Sequence, residues 1–165
     1  MPRQPGRRAV NDAGGGGAGG AGVAWLRDIE ALRRIPQRYA RAIDARDIDA
    51  VATLFDPDGR VDGTRGSASV PDYLDALRTP SVFAASMHVL GDPLIDLGPG
   101  ADTARMDTYA VVYQFRPPDS SEEDMELGIR YVDELVRRND GWLITHRAST
   151  TLWTATPWRA SPRST

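Results

Sequence analysis

The residues of this chain best suited to chemistry are two histidines, one aspartate at a helix end and a few tyrosines. His88 lies in Ser86-Met87-His88-Val89-Leu90, which alternates as a strand does and sets His88 on the face of Ser86 and Leu90. An imidazole, with an ordinary pKa of about 6.5, is the natural general base at neutral pH. The same spacing also fits a structural histidine on a half-buried strand. His146 alternates in phase with Trp142, Ile144 and Ala148, which points to packing or an interface. Asp44 closes a helical run, where the helix dipole disfavours a carboxylate and raises its pKa unless a cation is near. An aspartate there also serves as a solvated helix end or a turn former. Tyr39 precedes Asp44 by five residues, about 140° around a helix, so the two can border one cavity without sharing a narrow stripe. Tyr39 equally fits a core aromatic. Tyr113 and Tyr131 fall on strands and are candidates for lining a ligand pocket, although parity leaves their faces open.

Composition removes several alternatives. The chain has 165 residues, suited to one domain, and no cysteine, so disulfides, thiolate nucleophiles and cysteine zinc sites are excluded. All 20 basic residues are arginine, which excludes a lysine Schiff base, pyridoxal-phosphate attachment and a P-loop lysine. Two histidines on separate strands are a poor ligand set for zinc, and no metal site is assigned. A net charge of -3 argues against a duplex nucleic-acid binder. No apolar run is long enough to span a bilayer, and the basic start is not followed by the apolar stretch of a secretory signal; the expected location is cytoplasmic. Gly14, Gly16 and Gly19 satisfy G-x-G-x-x-G only because that region is nearly all glycine, with no strand before it.

These side chains must be held by elements that the hydrophobic period reveals. Residues 1–22 are expected to be disordered, since so many glycines lose entropy on ordering and have nothing to bury. The domain is expected over 23–155, with a flexible tail at 156–165. Trp25, Leu26, Ile29, Leu32, Tyr39, Ala42 and Ile43 follow helical spacing, with a kink or restart expected at Pro36. Asp47 is a good N-cap for a second helix carrying Ile48, Val51, Leu54 and Phe55, which Asp56-Pro57-Asp58-Gly59 should end as a turn. A short strand over 60–62 follows, and Ser69 caps a third helix through Pro71, Tyr73, Leu74 and Leu77. The period then falls to two, giving strands over 84–97, 103–116, 126–138 and 142–153, with bulges expected in the longer ones. Asn139-Asp140-Gly141 is a hairpin signal. The whole reads as α+β, with three N-terminal helices packed on a strongly curved antiparallel sheet whose open end forms a pocket for a small apolar ligand.

Three segments together resemble the SnoaL-like branch of the NTF2-like superfamily. They are Tyr39-Ala-Arg-Ala-Ile-Asp44-Ala-Arg-Asp47 continuing to Val61-Asp62, then Met87-His88-Val89-Leu90-Gly91-Asp92, and Gly128-Ile-Arg-Tyr131-Val-Asp133 running on to Gly141-Trp142-Leu-Ile144-Thr-His-Arg147. The resemblance covers about 130 residues. It implies an NTF2-like cone, a homodimer formed through the outer sheet face, and cofactor-independent chemistry on a small-molecule substrate. Scytalone dehydratase, bile-acid 7α-dehydratase, polyketide cyclases and ketosteroid isomerase share the pattern. Asp44 and His88 match the aspartate and strand histidine of the dehydratases, and Tyr39 matches a helical tyrosine of the bile-acid enzyme and the isomerase. A second dehydratase histidine falls near Tyr113, and the isomerase base falls near Gly63, beside Asp62; both are departures.

The expected function is therefore a lyase, cyclase or isomerase acting on a small apolar oxygenated compound, such as a polyketide or terpenoid intermediate. His88 would act as base and acid, Asp44 would orient it and Tyr39 would donate to an enolate oxygen. The alternative is a non-catalytic ligand-binding or assembly module, which predicts His88 and Asp44 more than about 3.5 Å apart or a filled pocket. The scaffold subunit of a ring-hydroxylating oxygenase is a more distant possibility, suggested by fold alone.

Overall fold

The computed structural model describes residues 17–156, apart from Arg65 and Asp140. Helix α1 (Gly17–Asp44) begins inside the segment expected to be disordered and runs through Pro36 without a break. Its Leu32, Ile35, Tyr39 and Ala42 are buried at the spacing of one helical face. Burial of that face offsets the backbone bond that proline removes. The helix closes where Arg46 takes a left-handed conformation (φ 55°) and the Asp47 amide donates to the Ala42 carbonyl. Asp47 then caps α2 (Ile48–Ala52), its side chain accepting from the Ala50 amide at 2.9 Å.

Helix α2 ends earlier than the hydrophobic pattern suggests, and Phe55 opens strand β1 (Phe55–Gly63). The expected turn at Asp56–Gly59 lies within β1 as an irregularity in its register between Phe55 and Arg60. A side chain at Gly59 would strike the Thr145 carbonyl, so glycine allows the two backbones to approach. The short β2 (Gly66–Ser69) returns antiparallel to β1. Ser69 then caps α3 (Val70–Arg78) as expected.

The expected strand over 84–97 is two strands, β3 (Ala85–Leu90) and β4 (Leu94–Asp96), separated at Gly91-Asp92-Pro93. Long strands β5 (Thr103–Phe115), β6 (Met125–Arg138) and β7 (Gly141–Ala155) complete a seven-stranded sheet of order β2-β1-β7-β6-β5-β3, with β4 also on β5. The sheet is mixed and not purely antiparallel, because β1 pairs parallel with β7. The helices are also not all N-terminal to the strands, since α3 follows β1 and β2. Inward-facing Met106, Ala110, Val112 and Leu135 form the core with α1 and α3, so the concave face holds whatever site the fold builds.

Candidate active site

His88 faces inward, because its register partner Val112 is buried on the inner face of β5. The C-terminus of α1 crosses that face and brings Asp44 to it. The Asp44 carboxylate accepts the His88 backbone amide at 2.9 Å and the Ser86 hydroxyl at 2.7 Å, and lies 2.7 Å from His88 Nδ1. A carboxylate that accepts on every side requires the proton on Nδ1, which makes Nε2 the nitrogen able to take a proton. Burial pushes the Asp44 carboxyl up, but the donors from His88 and Ser86 outweigh it and hold the pKa below its ordinary value. The upward shift expected from the helix end is thereby reversed.

Tyr39, one helical turn and more before Asp44, sets its ring perpendicular to His88 at 6.2 Å between centroids. Its hydroxyl is 2.7 Å from that of Tyr73 on α3. Both tyrosines line a cavity of about 310 Å3 between α1, α3 and the β1–β2 hairpin, together with Tyr131, Arg147, Ser67 and Leu77. Burial raises the Tyr73 and Tyr131 hydroxyls well above their usual values, so both stay protonated as donors. Asp44 and His88 are not part of the cavity lining; Tyr39 packs on His88 and also lines the cavity. Among the described residues no group of three or more His, Asp or Glu stands close enough to hold a metal ion.

The sequence pattern of the SnoaL-like domain matches residues 24–148. The chain belongs to the SnoaL-like family. Its fold matches a candidate scytalone dehydratase from Novosphingobium aromaticivorans DSM 12444 with a TM-score of 0.70 at 20% identity, covering 87% of this chain and 94% of the other. Hexachlorocyclohexane dehydrochlorinase LinA type 2 superposes with a TM-score of 0.75 at 13% identity, covering 87% and 99%. The type 3 enzyme of Novosphingobium barchaimii LL02 gives 0.73 at 13% identity, covering 82% and 94%.

Other features of this SnoaL-like domain depart from the sequence reading. Tyr131 lines the cavity, but Tyr113 lies on the outer sheet face, stacked on Phe115 at 6.5 Å, because odd-numbered positions of β5 point outward. His146 is also on the outer face, its Nε2 2.7 Å from Asp62. Continuing the hairpin register from Leu135–Ile144 without interruption would set Asp133 against His146. A bulge at Thr145 pairs Asp133 with Arg147 instead and turns Arg147 inward.

Arg147, Asp133, Tyr73 and Ser86 were not among the candidates. Arg147 is fully buried and makes two 2.7 Å hydrogen bonds to Asp133. Its guanidinium lies over the rings of Tyr39 (4.2 Å), Tyr131 (4.7 Å) and Phe55 (5.4 Å), where cation–π attraction replaces lost hydration. Burial works against its charge, but Asp133 outweighs that and holds the guanidinium protonated. Opposite charges at paired positions of β6 and β7 were the available signal, hidden by the bulge.

Proposed function

We propose that this SnoaL-like domain is a cofactor-independent lyase, cyclase or isomerase that moves a proton next to a carbonyl in a small, largely apolar oxygenated substrate. The observation that carries the reading is the 2.7 Å contact between His88 Nδ1 and an Asp44 carboxylate whose other hydrogen bonds fix its position. In a dehydration, Nε2 takes a proton from the carbon beside the carbonyl, leaving an enolate and an imidazolium that Asp44 stabilises. The imidazolium returns that proton to a departing β-hydroxyl, so a C–H and a C–O bond break, a C=C bond forms and water leaves. Tyr39 donates to the enolate oxygen, and Tyr131 borders the space the substrate fills.

The experiment is hydrogen–deuterium exchange at C2 of 1-tetralone in D2O, followed by proton NMR, with 3-hydroxy-1-tetralone dehydration to 1-naphthol as the second reaction. The protein should accelerate both, and His88→Ala should lower the rates about 10²–10⁴-fold. Exchange in His88→Ala within a few-fold of the natural protein would remove His88 from the role of base.

One observation favours a non-catalytic binding module as the second reading: His88 and Asp44 do not line the cavity. That reading predicts saturable binding of 1-tetralone with no exchange above buffer.

A further inference from the structure

Tyr39 joins the cavity to His88. The His88 side chain is 6% exposed, and Tyr39 is the one residue of the cavity lining whose ring packs on it. Tyr39 is held from the other end, where its hydroxyl meets that of Tyr73 at 2.7 Å. Around this bond Phe55 packs on both tyrosines, Tyr131 and the Arg147 guanidinium lie against Tyr39, and Leu77 and Ala76 border the cavity, with Ser67 and Asp72 also in its lining. The hydroxyl pair is part-buried, so giving up this partner without a replacement is unfavourable.

We propose that Tyr73 is a positioning residue that latches Tyr39 across the approach to His88, so that a ligand must present an oxygen acceptor able to take over that hydrogen bond before it reaches the acid–base pair. The inference rests on the acid–base reading for its purpose, but its geometry stands apart from turnover. Two hydroxyls facing each other hold two protons, and one is spent between them. A carbonyl oxygen entering the cavity accepts the other and then competes for the first. The tyrosine it engages is released from its neighbour, the Tyr39 ring swings from His88, and its hydroxyl remains bonded to the ligand oxygen. A hydrocarbon or halocarbon of the same shape has no such acceptor and leaves the latch closed. Tyr73 would thus select oxygenated ligands without touching the carbon that reacts.

The test is the rate at which diethyl pyrocarbonate modifies His88, read by mass spectrometry of the His88 peptide. His146, on the outer face, is the reference in the same molecule. In the natural protein His88 should react well below His146. Tyr73→Phe should raise the His88 rate about ten-fold, the scale of one hydrogen bond, and leave His146 unchanged. Tyr39→Phe, which removes the other hydroxyl, should do the same, and the double variant should add little more because both break one bond. If either variant fails to fold by circular dichroism, the other carries the measurement. Equal His88 rates in the natural protein and a folded variant would overturn the latch, as would a natural His88 that reacts as fast as His146. An opened His88 in a protein that exchanges no C2 proton of 1-tetralone would support the latch and sink the proposed reaction alone.

Discussion

At the residue scale, Asp44 is the side chain on which the acid–base proposal turns, because it fixes the imidazole and is itself fixed by three donors. Asp44→Asn places an amide N–H where an acceptor is needed and permits the wrong histidine tautomer. Turnover should fall about 10²–10⁴-fold, with apparent substrate affinity little changed. A loss confined to affinity would reassign Asp44 to positioning the ligand. The same carboxylate has a consequence for stability. Its folded pKa is below the ordinary value of 3.8, so its contribution is present above that value and is lost as pH falls through the lower folded value. Thermal unfolding of the natural protein and Asp44→Asn should therefore differ most above pH 3.8 and converge below it. A difference between the two that grows on acidification would contradict the assignment. Asp28, held low chiefly by its hydrogen bond to Arg137, and Asp107, held low chiefly by Arg130, make the whole chain acid-sensitive in the same direction, so the comparison must be between the two proteins.

At the scale of elements, the pairing of β6 with β7 decides which charge the core receives. The Asp133–Arg147 pair is almost wholly buried, with side-chain exposures of 1% and 2%. Asp133→Ala strands a guanidinium among aromatic rings and should cost about 3–5 kcal/mol in urea unfolding. Replacing both partners, Asp133→Leu with Arg147→Met, should recover most of that loss, since the penalty belongs to the unpaired charge. A single variant within about 1 kcal/mol of the natural protein would mean that Arg147 finds other solvation. The same bulge marks the limit of what the sequence makes legible. The caps at Asp47 and Ser69 were readable because a cap is a local bond, and His88 was readable on its face because β3 is short and regular. Arg147 was not, since one extra residue at Thr145 inverts the side chains that follow, as far as a second bulge at Leu152, and leaves no local mark. The parallel pairing of β1 with β7 was also unreadable, because it joins distant segments that share no turn. Tyr73 looked like any apolar residue of a helix; its hydroxyl bond to Tyr39 depends on how α3 meets α1.

At the scale of the molecule, the concave face of the sheet is covered by helices and the convex face is not. Val89, Tyr109, Leu152 and Trp153 are exposed there and border a shallow depression of about 390 Å3 that also includes Val111 and Gly128. Gly128 matters to its shape: a side chain there would strike the Trp153 indole, so the glycine lets that ring lie on the sheet. Arg130 flanks the patch, paired with Asp107 and set over the Tyr109 ring at 5.7 Å. A second copy on this face, as the family resemblance implies, would set the apolar strip at the centre and the Arg130–Asp107 pairs near the rim. A stable interface of this kind buries at least about 1,000 Å2, and bulky charges at its centre abolish it more surely than truncation. Light scattering at micromolar concentration should give twice the chain mass for the natural protein and the single mass for Tyr109→Arg combined with Trp153→Arg. Because Tyr39, Asp44, Tyr73, His88, Tyr131 and Arg147 come from one chain, the monomeric variant should keep its C2 exchange activity on 1-tetralone. A natural protein that scatters as a monomer would leave the convex face without a second copy. A monomeric variant that folds but loses exchange would show that the site depends on the neighbouring chain.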